Sequence, residues 1–427
     1  MTALLYRLFS VLLTPLIHLH MRRRVTQGKE DPTRIGERMG YPSRPRPPGR
    51  LVWVHAASVG ESMSALTLID GMLERDEDLN VLITTGTMTS AKLMAQRLPK
   101  RAFHQYAPID KYTAVQNFLD HWHPDLAIWV ESEFWPNLVL ETFDLGIPML
   151  LVNARISEES FQRWSRAPGL IRTMLRCFDL CVAQSMPDAG RLGTLGADNV
   201  TWVGNLKAAG LPLPAEPRAL ERMERAVAER PCWLAASTHP GEEALIAKVH
   251  KRLSEQFSEL LTFIVPRHPE RGEEIRDLLR RAGLEVSRRT GMEPITPTTE
   301  IYLADTLGEL GVFYRALPIA FIGGSLVKHG GHNPLEAARL DCALLFGPHM
   351  HNFEDSMRTL TEAGAAIQVA NADGLARELA RLLDDSRRVR RMADAGRELS
   401  EEGQQIREAL LDKILPYLES RGAHVDA

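Results

Sequence analysis

Short apolar runs of strand length alternate along this chain with longer stretches in which apolar residues recur at helical spacing. Strands are predicted at Leu51 to His55, Val81 to Thr85, Leu126 to Glu131, Met149 to Asn153, Leu180 to Ala183 and Thr201 to Val203. Helical patterns fall between them at Glu61 to Arg75, Ser90 to Gln96, Lys111 to His121 and Asn137 to Leu145. Such βα repetition predicts a parallel sheet covered on both faces. A second series follows Pro212, Pro214 and Pro217, with strands at Trp233 to Ala236, Leu261 to Val265, Glu285 to Ser287, Ile301 to Ala304, Ile319 to Ile322 and Ala343 to Phe346. The prolines mark a domain boundary. The expected organisation is an N-terminal segment at 1–25, one α/β domain at 26–210 and a second at 211–427.

The N-terminal segment breaks the pattern. Ala3 to Leu19 is largely apolar and is followed at once by Arg22, Arg23 and Arg24. It predicts a membrane anchor, either a short tilted span or an interfacial helix, because a full span needs ~20 apolar residues and this run carries Arg7, Pro15 and His18. The position of the arginines places the rest of the chain on the cytoplasmic face and argues against a cleaved signal peptide. A Pro/Arg-rich linker, Arg44 to Pro48, then leads into the first strand.

At 427 residues the chain exceeds one ordinary hydrophobic core, and its net charge of −4 gives no overall basic field for nucleic acid. Cys177, Cys181, Cys232 and Cys342 form no C-x-x-C pair and sit in apolar surroundings, as buried, reduced thiols do.

Polar chemistry concentrates where strands end. Val54-His-Ala-Ala-Ser-Val-Gly-Glu61 puts Glu61 at a helix start, where it serves either as a general base facing a cleft or as a favourable helix-start charge. Val130-Glu-Ser-Glu-Phe-Trp-Pro-Asn137 places Glu131 and Glu133 beside two aromatic residues, a combination suited to sugar hydroxyls. Thr84-Thr-Gly-Thr-Met-Thr-Ser90 fits phosphate binding and simple helix capping equally. Lys207, in Gly204-Asn-Leu-Lys207, is a candidate for stabilising charge on a departing phosphate.

In the second domain, Phe321-Ile-Gly-Gly-Ser-Leu-Val-Lys-His-Gly-Gly-His-Asn-Pro-Leu-Glu336 reads as strand, glycine-rich loop and helix start, with Leu335 to Leu340 as the helix. Its glycines let backbone N–H groups approach an anion, Asn333 and Pro334 suit a helix cap and first turn, and Glu336 suits a ribose diol. The spacing matches neither G-x-G-x-x-G nor a P-loop, so a nucleotide must be held another way. Arg267 and Arg271 offer guanidinium groups for phosphate or carboxylate. His329 with His332, and His349 with His351, lack a recognised ligand spacing, and no metal is expected.

Taken in order, W-V-H-A-A-S-V-G-E ending at Glu61, E-S-E-F-W-P-N from Glu131, N-A-R-I-S from Asn153, G-N-L-K ending at Lys207, P-R-H-P-E-R from Pro266 and G-G-H-N-P-L-E ending at Glu336 resemble the 3-deoxy-D-manno-octulosonic acid (Kdo) transferases of lipid A biosynthesis. The resemblance covers essentially the whole chain. It implies a GT-B glycosyltransferase of two Rossmann-like domains facing a cleft, the first taking lipid A precursor (lipid IVA) and the second CMP-Kdo, at the cytoplasmic face of the cell inner membrane. It further implies Glu61 as base, Glu131 and Lys207 as transition-state stabilisers, and Pro266, Arg267, Leu307, Gly308, Glu309, Asn333, Pro334, Leu335 and Glu336 as the CMP-binding set. No cofactor and no catalytic metal are implied for this inverting displacement. The chain departs from the pattern at Ala208-Ala209, where an acidic residue is common, and at Arg155-Ile-Ser-Glu-Glu159, where a basic residue is. Other GT-B enzymes acting on UDP-sugars, a UDP-GlcNAc 2-epimerase among them, and a non-catalytic nucleotide-binding membrane scaffold fit parts of the same pattern. The number of Kdo residues added and the oligomeric state are not encoded in these motifs.

Overall fold

The computed structural model describes residues 6, 7, 10, 12, 14–166, 168–210, 212–227 and 230–419. Two compact units make up the chain: Met1–Gly210 with Gly403–Ala427, and Leu211–Glu402.

In the first unit the strands are β1 (Leu51–His55), β2 (Asn80–Thr85), β3 (Ala102–Tyr106), β4 (Leu126–Val130), β5 (Met149–Ala154), β6 (Leu180–Ala183) and β7 (Val200–Trp202). They form one sheet in the order β3-β2-β1-β4-β5-β6-β7, with every pair parallel. Successive side chains of a strand point to opposite faces, so β1 feeds two cores at once. Leu51 and Trp53 pack with Trp122, Trp129 and Phe118 on one face, and Val52 and Val54 with Ile69, Met72 and Ile83 on the other. A strand covered on both sides has no polar alternation to show, and all five residues of β1 are buried. Strand β3 went unread in the sequence because it is an edge strand with His104 and Gln105 in the middle of it.

The second unit repeats the architecture with β8 (Cys232–Thr238), β9 (Leu261–Pro266), β10 (Val286–Arg288), β11 (Ile301–Leu303), β12 (Ile319–Ile322), β13 (Ala343–Phe346) and β14 (Ala366–Gln368). Their order is β10-β11-β9-β8-β12-β13-β14, again parallel throughout. Strand β14 is a three-residue edge strand that the apolar pattern did not reveal. The helix after the glycine-rich loop spans Leu335–Ala338 and stops short of the expected Leu340.

In both sheets the chain reverses direction of growth beside the first strand of the unit, between β1 and β4 and between β8 and β12. At such a switch point the loops leaving the two carboxyl ends diverge and open a crevice, which is where open α/β sheets take their ligands.

The C-terminal helix Ser386–Glu419 corrects the expected boundary at 211–427. Its first turns place Val389 and Met392 in the second unit's core, whereas Leu410, Leu411, Ile414 and Leu418 complete the first unit's core beside Leu68 and Ile69. Gly71 permits this approach, since a Cβ there would lie 2.5 Å from Leu411 Cδ1. Arg407 seals the contact, its Nη2 2.6 Å from Glu74 Oε2.

Of the expected N-terminal anchor, residues 1–5, 8, 9, 11 and 13 lie outside the described residues. Among those described, no helix is long and apolar enough to cross a membrane. The helix Thr14–Thr26 leads out of a segment tied to the first unit by its polar side chains. Arg7 Nε lies 2.6 Å from Glu141 Oε1, Tyr6 Oη donates to Asp110 Oδ2 at 2.8 Å, and Asn137 Nδ2 donates to Ser10 Oγ at 3.1 Å. Leu12, Leu16 and Leu19 are more than half exposed.

Candidate active site

The switch point of the first sheet gathers the residues on which the sequence reading settled. Strand β1 ends at His55, and Ser58 caps the helix Val59–Arg75, accepting from Glu61 N at 3.3 Å. The Glu61 carboxylate reaches back, Oε1 accepting from Ser58 Oγ at 2.8 Å and Oε2 from Ala57 N at 2.6 Å. Ser58 and Glu61 thus bond reciprocally at the helix start, with Ala57 N in place of the N-cap N–H that a capping box would use, so Glu61 is indeed a helix-start charge, yet that does not exhaust its chemistry. Each oxygen keeps a second lone pair. Burial pushes the carboxyl above its ordinary range, and the charges of Glu131 and Glu133 push the same way, against the hydrogen bonds from Ser58 and Ala57. A carboxylate raised in this way is a stronger proton acceptor near neutral pH.

Glu131 follows β4 in the left-handed region, with φ of 65°, and Asn153 near the end of β5 has φ of 51°. Non-glycine residues hold that conformation at a cost of about 1–3 kcal/mol and persist in it where surroundings over-determine them. Here the surroundings are polar clamps. Asn153 Oδ1 accepts from Leu206 N at 2.9 Å, and Asn205 Oδ1 accepts from Lys207 N at 3.0 Å, which fixes the G-N-L-K segment against the sheet. Lys207 Nζ then lies 2.7 Å from Glu131 Oε1. Gly204, with φ of 118°, could carry no side chain, because a Cβ would meet Ile406 Cδ1 at 2.4 Å.

In the hydroxyl-rich loop the capping expected from the sequence is present. Thr84 Oγ1 accepts from Trp53 Nε1 at 2.8 Å and lies 2.9 Å from His55 Nδ1, while Thr87 Oγ1 caps the next helix by accepting from Ser90 N at 3.1 Å.

In the second unit the glycine-rich loop differs from expectation. Three of its N–H groups, those of Gly324, Ser325 and Leu326, are taken by the wholly buried Glu242. Oε2 accepts from Gly324 N at 2.6 Å and His239 N at 3.0 Å, and Oε1 from Ser325 N at 3.1 Å and Leu326 N at 2.9 Å. Of the four glycines expected to approach an anion, Gly324 donates to this internal carboxylate, Gly323 N donates to Ala236 O at 2.7 Å and Gly331 N to Gly324 O at 3.0 Å. The loop is thereby held rigid, and Gly323 sits so close to β8 that a Cβ would be 2.5 Å from Ser237 O.

The expected nucleotide set falls in three places. Pro266 ends β9 and Arg267 beyond it is exposed, its N–H donating to Thr238 O at 3.0 Å. Leu307 is 81 % exposed, Gly308 has φ of 81°, and Arg289 grips Glu309 through Nε at 3.0 Å and through Nη2, holding that carboxyl below its ordinary range. Asn333 Oδ1 accepts from Leu335 N at 3.2 Å, which sets up the short helix carrying Leu335 and Glu336 after Pro334.

Sequence reading missed one convergence. His239, His329 and His332 come from loops some ninety residues apart and bring ring nitrogens within 4.8 Å of one another. His239 Nε2 lies 2.8 Å from His332 Nε2, and the His239 and His329 rings stack with centroids 3.6 Å apart. The 2.8 Å spacing is that of an N–H···N hydrogen bond; two nitrogens on one tetrahedral zinc stand about 3.3 Å apart. The four cysteines are buried and free, with the Cys177 and Cys181 thiols pushed up to about 12 by burial, as the sequence suggested.

Two parallel α/β units, each with polar groups at its switch point, are the architecture of a GT-B-type fold. The fold is shared with the UDP-GlcNAc 2-epimerase from Neisseria meningitidis bound to UDP-GlcNAc, at a TM-score of 0.54 and 13 % identity over 86 % of this chain and 100 % of that one. A glycosyltransferase structure from Rickettsia africae gives 0.51 and 14 %, covering 87 % of this chain and 99 % of that one. The family model for 3-deoxy-D-manno-octulosonic-acid transferase matches residues 33–209. A 3-deoxy-D-manno-octulosonic acid transferase of Rickettsia bellii is 35 % identical over 97 % of this chain and 99 % of its own length. One from Haemophilus influenzae is 35 % identical, covering 90 % and 92 %. The chain belongs to the 3-deoxy-D-manno-octulosonic acid transferase family, and it is an enzyme that transfers a glycosyl group.

Proposed function

We propose that this enzyme transfers Kdo from CMP-Kdo to a hydroxyl of a lipid A precursor at the cytoplasmic face of the inner membrane. Glu61 removes the proton of the attacking glucosamine hydroxyl; its oxygen bonds to the anomeric carbon of Kdo while the bond from that carbon to the phosphate of CMP breaks, with inversion. The proton ends on Glu61 and the electron pair leaves with CMP. Lys207, oriented by Glu131, supplies positive charge for the developing phosphate, and Arg267 with the Leu307–Glu309 and Asn333–Glu336 segments holds the nucleotide. The observation that carries this reading is the setting of Glu61, a buried carboxylate raised in pKa beside the Glu131–Lys207 pair at one switch point.

The same reading makes the N-terminal segment an interfacial anchor. Its polar residues are engaged by the first unit, and Leu12, Leu16 and Leu19 are exposed ahead of Arg22 and Arg23, the arrangement of a helix lying on an anionic lipid surface. A lipid-borne acceptor would then meet an enzyme already held at its surface.

The test is incubation with CMP-Kdo and a tetra-acylated lipid A precursor, following product mass and CMP release, with Glu61→Gln alongside. Mass gain in whole Kdo units, and a loss of roughly 100- to 10,000-fold in the variant, is expected from removal of a general base. A folded, CMP-binding protein that adds no Kdo to any precursor would sink the assignment, and an unimpaired Glu61→Gln would remove Glu61 from the mechanism.

A further inference from the structure

We propose that His239 and His332 form a proton-linked seat for a divalent oxyanion, which takes up one proton from solvent as the anion binds. The inference deepens the reading above, since the dianion it would hold in turnover is the phosphate of the departing CMP.

Three observations place it. First, the pair lies at the switch point of the second sheet: His239 follows β8, and the loop carrying His329 and His332 follows β12. Ligands of open parallel sheets bind there. Second, the obvious anion cradle at this point, the N–H groups of Gly324, Ser325 and Leu326, is filled by Glu242, so an arriving anion must find other donors. Third, the side chains that remain are basic. Arg267, Arg271, His268 and His329 all bear on the pair. Of the nearby carboxylates, Glu242 holds backbone N–H groups, Glu243 and Glu274 each lie 2.9 Å from Arg271, and Glu270 lies 3.3 Å from His268, so Arg271 and His268 carry carboxylate partners of their own and Arg267 is the cation that faces the pair without one. Among the described residues no carboxylate pairs with His239, His329, His332 or Arg267.

The pair as it stands holds a single proton between two nitrogens 2.8 Å apart. Burial, with the neighbouring positive charges, pushes His239 down to about 4 and His332 down to about 3, so both rings are neutral at pH 7. A dianion changes the balance. Its charge favours a second proton, the N–H···N bond opens, and each ring can point an N–H at oxygen. A seat of this kind is neutral when empty and cationic when filled.

The experiment uses the full chain labelled at histidine Cε1 and titrated with sulfate, a dianion that does not itself titrate between pH 6 and 8. Binding is expected to tighten by up to about tenfold per pH unit on lowering the pH, the slope of one linked proton. His239 and His332 resonances should move to imidazolium positions at saturation. The decisive quantity is the difference from His332→Asn, which should lose that slope while Arg267 retains residual binding. His239→Asn should behave alike, and the wild-type resonances answer the question even if either variant fails to fold. Binding independent of pH, or an unchanged slope in His332→Asn, overturns the proposal. So does tight zinc binding that shifts all three rings and is indifferent to sulfate. CMP provides the separate arm: competition with sulfate ties the seat to the donor, whereas a proton-linked sulfate site untouched by CMP leaves the seat standing and refutes its role in donor binding.

Discussion

Replacing Glu242 by glutamine tests whether the glycine-rich loop is clamped from within or open to a ligand. The carboxylate accepts four buried backbone N–H groups, two on each oxygen. Glutamine keeps one oxygen and turns an NH2 group toward the other two donors. Two unsatisfied buried N–H groups cost about 1–3 kcal/mol each, or about 2–6 kcal/mol together. In a unit of roughly 190 residues, where each kcal/mol moves the midpoint by about 2–4 °C, the transition should fall by on the order of 10 °C. Scanning calorimetry of the full chain reads this directly, and sulfate added during the scan marks which transition belongs to the second unit, because a ligand raises the midpoint of the unit that binds it. A variant that melts within about 1 °C of wild type and binds sulfate more tightly would show the N–H groups to be available, and the clamp would be wrong.

Other consequences follow from the same geometry. Glu131→Gln removes a negative charge that raises Glu61, so the acid limb of the pH profile of kcat/KM should move to lower pH; a limb that stays or rises contradicts the coupling. Lys207→Met should lower kcat by roughly 100- to 1,000-fold with little effect on CMP affinity, as expected when a group acts on charge that develops in the transition state. Gly323→Ala forces a Cβ onto backbone oxygens of β8 and should cost about 3 kcal/mol in urea denaturation, the upper end of overpacking penalties. Ending the chain after Glu402 strips Leu410, Leu411, Ile414 and Leu418 from the first core, a loss of about 6–12 kcal/mol at about 1.5–3 kcal/mol per side chain. The first unit should fail to fold while the second still binds sulfate, as limited proteolysis and titration would reveal.

Sequence patterning disclosed whatever was local. Strands β1, β4, β8 and β12 are apolar runs because both faces are covered, and Glu61 and Glu131 follow two of those runs. Strand β3 escaped because His104 and Gln105 interrupt its apolar run, and β14 because it is three residues long and ends in Gln368. Glu242 was in view, one residue after a glycine at a strand end, but nothing nearby in sequence says that its partners are Gly324 to Leu326. The histidine pair is hidden for the same reason, its members separated by 93 positions. The return of the last helix to the first unit was also illegible, since an amphipathic stripe states that a face is buried and not against what.

That returning helix sets a timetable for biosynthesis. The first sheet is translated early, yet Leu410, Leu411, Ile414 and Leu418, which complete one of its cores, are translated only after the roughly 190 residues of the second unit. At about 5–20 residues per second, the nascent first unit waits about 10–40 s with that core incomplete. During this interval it offers a leucine- and isoleucine-rich surface to whatever is nearby, so a chaperone or a lipid surface has a defined moment at which to act. Slowing elongation within the second unit would lengthen that exposure without altering a single residue of the product.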